Sequence, residues 1–298
     1  MHFSIVGLAK PAFQKVWYAI VTLFLFTKSD IKTVIIPVGI FAIASAPLYS
    51  LNKIPGMFFW IWLHLLQFDT SNQTMDIEED RHNKPDRPIP SNRLTIKNAI
   101  ILRWALILTC LLFSASYNNE VACASVVIAA FTVIYNELGG HASHWAMRNI
   151  LNAIILASFE WGSTLLAGAD SRQLTDTGIL AVCISFGIFA TTIQVQDFQD
   201  VQGDQKINRQ TLPILFPAGS RYTPLVTILT WSVGLSFVWH LPTAVAAVFV
   251  ALALFVGMRF LFRRTRYDDQ ISYYWYNVWV SAAHILPGIW LLANEEIH

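Results

Sequence analysis

The sequence predicts an all-α polytopic membrane protein, about nine transmembrane helices in one bundle (residues 1–298). Three observations carry that expectation. The chain is 55% hydrophobic and 13% charged, against roughly 25% charged in an average soluble domain, and its mean hydropathy is +0.48. The apolar residues come in runs of about 20, the length that crosses a bilayer as a helix. The connections between runs are short and leave no room for a soluble domain. A net charge of +1 gives no reason to expect a nucleic-acid partner.

In chain order, residues 13–26 read as a short apolar helix, lying at the interface or leading into the first span. Lys28, Asp30 and Lys32 follow it instead of a small-residue cleavage site, which argues against a signal peptide. Spans then read as 31–49, 54–72, 95–117, 120–137, 148–168, 175–197, 222–240, 242–262 and 272–293. Cys110, Cys123 and Cys183 all fall in apolar runs, where a free thiol behaves as a small hydrophobe.

Two polar stretches interrupt this pattern. Asn72, Asp76 and Asp80 close the second span at i, i+4, i+8, which on a continuous helix is one face. Lys84, Arg87 and Arg93 follow among Pro85, Pro88 and Pro90, which stop a helix. Asp197, Asp200 and Asp204 close the sixth span at i, i+3, i+7, and Lys206 and Arg209 follow. Oxygen ligands succeeded by fixed cations suit a metal-bound phosphate group. A solvated helix end accounts for one such cluster, but two of the same layout make that a weak account. Both end even-numbered spans, so both open on the same side of the bundle.

Basic residues predict which side. Of the 20 Lys and Arg, Lys53 and Arg172 fall opposite the clusters and Arg103 lies within a span, leaving 17 on the cluster side. The positive-inside rule then turns both clusters to the cytosol.

Within the bilayer, Arg148, Asn152 and Glu160 share one face of the fifth span. Charges in hydrocarbon face the bundle interior. Arg148 is near enough to the clusters to reach phosphate, and Glu160 is expected either to pair, with Arg103 as a candidate, or to line a pocket. Tyr135 ends the fourth span on the cluster side. His64 sits two turns before Asn72, and packing is the more common role for such a residue. Phe159, Trp161, Phe186 and Phe189 are expected to face a cavity, where aromatic rings can hold a carbocation through cation–π attraction.

Asn72, Asp76 and Asp80 match the N-x-x-x-D-x-x-x-D motif of the UbiA superfamily of intramembrane prenyltransferases, and Asp197, Asp200 and Asp204 match its D-x-x-D-x-x-x-D motif. The chain resembles that family also in Gly203-Asp204, in Arg209 to Pro213, and in its nine spans. It departs at Gln73, where Asp is common, and in a loop after the fourth span with few cations. The stretches Leu25–Thr33 and Asp86–Pro90 are similar to fungal members, some of which are terpene cyclases. The resemblance implies Mg²⁺ held by the six motif residues, with Asp76, Asp80, Asp200 and Asp204 catalytic. It further implies a prenyl diphosphate met by Lys28, Lys84, Arg87, Tyr135, Arg148, Lys206 and Arg209, its tail among His64, Asn152, Phe159, Glu160 and Phe189. The expected activity is cyclisation of a C15 or C20 prenyl diphosphate, with prenyl transfer to an aromatic or polyketide acceptor as the alternative. The expected location is the lipid bilayer of the endoplasmic reticulum. An ion or anion transporter is the rival from another class. Transporters tend to bind at the midplane, whereas both clusters here open at one face.

Overall fold

The structure, a computed structural model, describes residues 5–47, 50–75 and 77–295. Helix α1 (Ile5–Thr27) leads through a π-helical turn (Ile31–Ile35) into α2 (Ile36–Ser45). Then come α3 (Ile54–Gln73), α4 (Ile77–Asn83), α5 (Ile96–Ala115), α6 (Asn119–Asn136) and α7 (Trp145–Ala167). The second half holds α8 (Asp176–Thr192), α9 (Asp197–Lys206), the one-turn α10 (Leu212–Leu215), α11 (Thr223–Val238), α12 (Thr243–Phe262) and α13 (Arg266–Glu295).

Local chemistry sets the boundaries. Thr95, Asn118 and Thr175 each accept a hydrogen bond from a backbone N–H of the first turn they precede, of Asn98, Val121 and Gly178 respectively. Pro37, Pro55 and Pro224 sit in first turns, where a missing N–H costs nothing.

The nine predicted apolar runs contain helices among the described residues, though not all of them are of spanning length. Six helical segments among the described residues are long and apolar enough to cross a membrane: α5, α6, α7, the segment Asp176–Lys206, α12 and α13. The other three are α2, which with its π turn is a shorter apolar helix, α3, which carries His64, Gln67, Asp69 and Asn72, and the 16-residue α11. Helix α1 is longer than the expected 13–26.

Apolar residues divide between lipid and core. Ile101, Trp104, Leu108 and Leu112 form an exposed stripe along α5, and Leu254, Phe255, Met258 and Phe262 do the same on α12. In water such a surface would be unfavourable by roughly 25 cal/mol per Å²; against acyl chains it is at home. The interior has two main apolar clusters. One gathers Met57, Trp60, Ile61, Ile128 and Phe159, the other Ile228, Phe249, Val256, Phe260 and Trp279. Helices α2 and α7 form the seam, since Val38, Ala42 and Ile155 belong to the first cluster and Phe41, Ala153 and Leu156 to the second. Gly162 on α7 lets α3 pack closely against it: a Cβ there would collide with the Trp60 ring.

Candidate active site

The first motif is not one helical face. Helix α3 ends at Gln73, a turn follows at Thr74 and Met75, and α4 starts afresh at Ile77. Asp76 lies outside the described residues. Two buried contacts hold the break. Gln73 Nε2 donates to the Phe26 carbonyl at 2.8 Å, which gives the departure from the family motif a structural task. Arg103 Nη1 donates to Thr74 Oγ1 at 2.7 Å and pairs with Glu137 at 2.8 Å. The expected partner of Arg103, Glu160, is elsewhere. The break puts Glu78, Glu79 and Asp80 into the first turn of α4, where the helix dipole favours negative charge.

The second motif follows the same plan. A 3-10 turn (Ile193–Gln196) separates α8 from α9, and Asp197 and Asp200 occupy the first turn of α9. Gly203 lets α9 lie against α4, because a Cβ there would strike the Asn83 side chain. Both motifs therefore face one cavity, of about 1100 Å³ counting its mouth.

The mouth is polar. Asn72, Asp80, Asp197, Asp200 and Asp204 line it together with Lys84, Arg87, Tyr135, Arg148 and Arg209. Ion pairs organise these groups. Arg87 Nη1 binds Asp80 Oδ1 at 2.7 Å, and its Nη2 reaches Asp30 Oδ2 at 3.7 Å. Arg148 spans both Asp197 oxygens at 3.3 Å. Arg209 Nη1 binds Asp204 Oδ1 and Glu79 Oε2, each at 2.8 Å. Burial pushes the Asp80 carboxyl above its ordinary value, against the opposing pull of Arg87 and Lys84. Burial also pushes on Asp30, but Lys84, Arg87 and hydrogen bonds from Ser29 and Thr33 outweigh it and hold that carboxyl low. Glu79 likewise ends below its usual value, burial being outweighed by Arg209 and Lys84.

The deeper wall is apolar. Leu65, Phe68, Ile155, Leu156, Phe159 and Phe189 line it, with Asn152, Tyr273, Tyr276 and Asn277 as scattered polar points.

Four expected site residues lie off this cavity. Lys28 pairs with Asp86 at 2.9 Å, its side chain 53% exposed, and Lys206 is exposed at the end of α9. His64 is buried, bonded to the Trp60 carbonyl and to Ser125 Oγ, each at 2.8 Å. Glu160 is fully buried and accepts from Ser185 Oγ at 2.7 Å. Trp161 and Phe186, expected to face the cavity, instead line a shallow outer groove with Ile154 and Cys183. Helix periodicity explains Trp161, which sits two positions from Phe159 and so about 200° around α7 from the inner face.

Sequence reading missed Asp30, Asp69, Glu79 and Asn277. Asp69 carried a signal, because it precedes Asn72 by one turn and shares its face. Asp30 and Asn277 carried none, being brought in from α1–α2 and α13 by tertiary packing.

The donor set is oxygen-only, the kind hard divalent cations take. Asp69 Oδ2, Asp80 Oδ2 and Asp204 Oδ2 are buried without a hydrogen-bond partner, so each carboxylate has an oxygen to give. No three His, Cys, Asp or Glu side chains among the described residues already stand close enough together to enclose one ion. The residues fit a divalent cation in chemistry, with much of their charge presently taken up by Arg87, Arg148 and Arg209.

Residues 33–279 match the model of the UbiA prenyltransferase family. The chain belongs to that family. A fumagillin beta-trans-bergamotene synthase of Aspergillus fumigatus is 36% identical over 267 residues, covering 89% of this chain and 91% of that one. A polyprenyl transferase of Hericium erinaceus is 32% identical over 232 residues, 74% and 76% of the two chains. A UbiA homolog from Archaeoglobus fulgidus, solved bound to GPP and Mg²⁺, has the same fold: TM-score 0.64 at 14% identity, over 89% of this chain and 98% of that one. This UbiA-family protein is thus an integral membrane enzyme whose relatives are terpene synthases and prenyltransferases. The transporter reading falls away.

Proposed function

We propose that this UbiA-family enzyme is a Mg²⁺-dependent class I terpene cyclase that ionises a C15 or C20 prenyl diphosphate and cyclises the resulting cation. The observation that carries the reading is the joining of two carboxylate clusters and four fixed cations at the mouth of one cavity with an apolar, aromatic interior. Such a cavity matches a ligand with a polyanionic head and a hydrocarbon tail. The likeness to a bergamotene synthase along 89% of the chain favours cyclisation.

Asn72, Asp76, Asp80, Asp197, Asp200 and Asp204 would hold Mg²⁺. When bound, Mg²⁺ neutralises the diphosphate and acts as a Lewis acid on the leaving group. Lys84, Arg87, Arg148 and Arg209 bind the diphosphate oxygens and stabilise the charge that grows on them as the C–O bond breaks. Tyr135, beside Arg148 at the mouth, orients the head group. Leu65, Ile155 and Leu156 fold the chain back so that an internal double bond meets the allylic cation. Phe159 and Phe189 present ring faces to the migrating positive charge. The bundle keeps water from the cation until a proton is lost and the last double bond forms.

The 17 basic residues on the cluster side support a mouth at the cytosolic face, in the membrane of the endoplasmic reticulum. The likeness to a polyprenyl transferase supports one second reading, transfer of the prenyl group to an aromatic or polyketide acceptor. Membranes containing the enzyme, given C10, C15 or C20 diphosphate and Mg²⁺ without acceptor, should release pyrophosphate and a cyclic terpene. No terpene from any chain length, with a prenylated adduct once a phenol is added, replaces cyclisation by transfer.

A further inference from the structure

The cavity rings Phe159 and Phe189 have the same kind of neighbour. His64 meets Phe159 edge-on, centroids 6.3 Å apart and planes at 82°. His284 meets Phe189 edge-on at 5.8 Å and 75°. Neither histidine lines the cavity. Each is 2% exposed or less and has both ring nitrogens engaged.

The tethers cross between helices. His64 Nδ1 bonds the Trp60 carbonyl and Nε2 bonds Ser125 Oγ on α6, each at 2.8 Å. Its ring also packs on Trp60 at 3.9 Å. His284 Nδ1 bonds the Pro37 carbonyl on α2 at 3.0 Å. Its Nε2 lies 3.1 Å from Ser185 Oγ on α8, and Ser185 donates to Glu160 on α7 at 2.7 Å. A carbonyl only accepts, so Nδ1 of each histidine carries a proton. Ser185 has one proton to give. The remaining mobile proton therefore sits at one end of a single Glu160–Ser185–His284 chain, and either arrangement holds all three side chains in the same geometry. An aliphatic residue would fill the same space without the tethers, leaving the neighbouring ring free to change rotamer.

We propose that His64 and His284 are positioning residues that clamp Phe159 and Phe189, and that the clamped rings decide which product the folded chain becomes. This rests on the terpene-forming reading above. A ring that can tilt supports several cations in turn; a ring held edge-on by a tethered imidazole supports one placement best. Binding of the head group and departure of diphosphate take place at the mouth, so they should be insensitive to the clamps.

Ser185→Ala and Ser125→Ala each remove one hydroxyl, and His284→Leu removes a clamp outright. The expected result is a shift in the ratio of minor to main product of about five-fold or more, in the same direction for Ser185→Ala and His284→Leu, with kcat and KM for pyrophosphate release within about three-fold of wild type. His284→Gln, which keeps a polar group toward Ser185, should restore part of the ratio. A structural role alone would lower the melting temperature and leave the ratio unchanged. If His284→Leu does not fold, Ser185→Ala carries the comparison. Wild-type product ratios from folded Ser185→Ala and Ser125→Ala with normal pyrophosphate release overturn the proposal. The wild-type product tests the terpene-forming reading separately. Should that product be a prenylated acceptor, the same variants are scored by the C15-to-C20 adduct ratio, and an unchanged ratio again overturns the clamp.

Discussion

Arg209 Nη1 donates to Glu79 Oε2 at 2.8 Å across 130 residues of sequence, and the same nitrogen holds Asp204. One guanidinium thus ties α4 to the end of α9 and brings both acidic motifs to one mouth. Arg209→Met should separate them. Removing one partner of a buried ion pair costs about 3–5 kcal/mol, so a large fall in detergent melting temperature is expected along with lost turnover. Arg209→Lys keeps the charge without the fork, and should retain measurable activity. Activity assays with thermal unfolding of both variants check this; unchanged stability in Arg209→Met would mean that the bridge is not what holds the motifs together.

Metal dependence should be complete. Asp76→Ala and Asp200→Ala are each expected to lower turnover by more than about 10³-fold, the scale on which loss of charge stabilisation at a leaving group acts, while the proteins still insert and fold. EDTA should silence the wild type and added Mg²⁺ should restore it. Near-normal activity in either well-folded variant contradicts the metal assignment.

The redrawn cavity separates residues that the sequence grouped together. Lys28→Ala and Lys206→Ala should stay within about three-fold of wild type, since exposed charges act weakly through solvent. Asp69→Asn should lose about ten-fold or more in kcat/KM, because it alters a buried oxygen at the cavity wall. Steady-state kinetics on the three variants gives the ranking, and the reverse order would place the head group outside this cavity.

The helix break should depend on Arg103. Arg103→Met leaves Glu137 and Thr74 without their partner, a loss of about 1.5–3 kcal/mol for hydrogen bonds to a charged group. Adding Glu137→Gln should return part of the stability. A double-mutant cycle by thermal unfolding measures the coupling.

Sidedness can be read by labelling. With Cys123 and Cys183, both exposed, changed to Ala, cysteines at His82 and Gln205 should react with an impermeant reagent from the cytosolic side only. A cysteine at Arg172 should react from the other side only. Opposite labelling of His82→Cys and Gln205→Cys would refute a shared mouth.

Much of this enzyme was legible in the sequence. Span-length apolar runs specify helices because a bilayer leaves the backbone no other way to satisfy its hydrogen bonds. The parity of those runs put both acidic motifs at one end, and the spacing of Asp197, Asp200 and Asp204 put them on one face of α9. Spacing misled at Asn72 and Asp80, because a periodicity argument assumes an unbroken helix, and the turn at Thr74 is held by Arg103 and Glu137 from outside the motif and by Gln73 within it. Tertiary structure alone decided which charges reach the cavity. Arg87 and Arg209 are held there by carboxylates, while Lys28 and Lys206, of the same charge, extend into solvent. It also decided the buried polar partners: Glu160 finds Ser185 and His284, not Arg103, because the register of α7 against α8 and α13 sets which side chains meet in a medium where every buried polar group needs one.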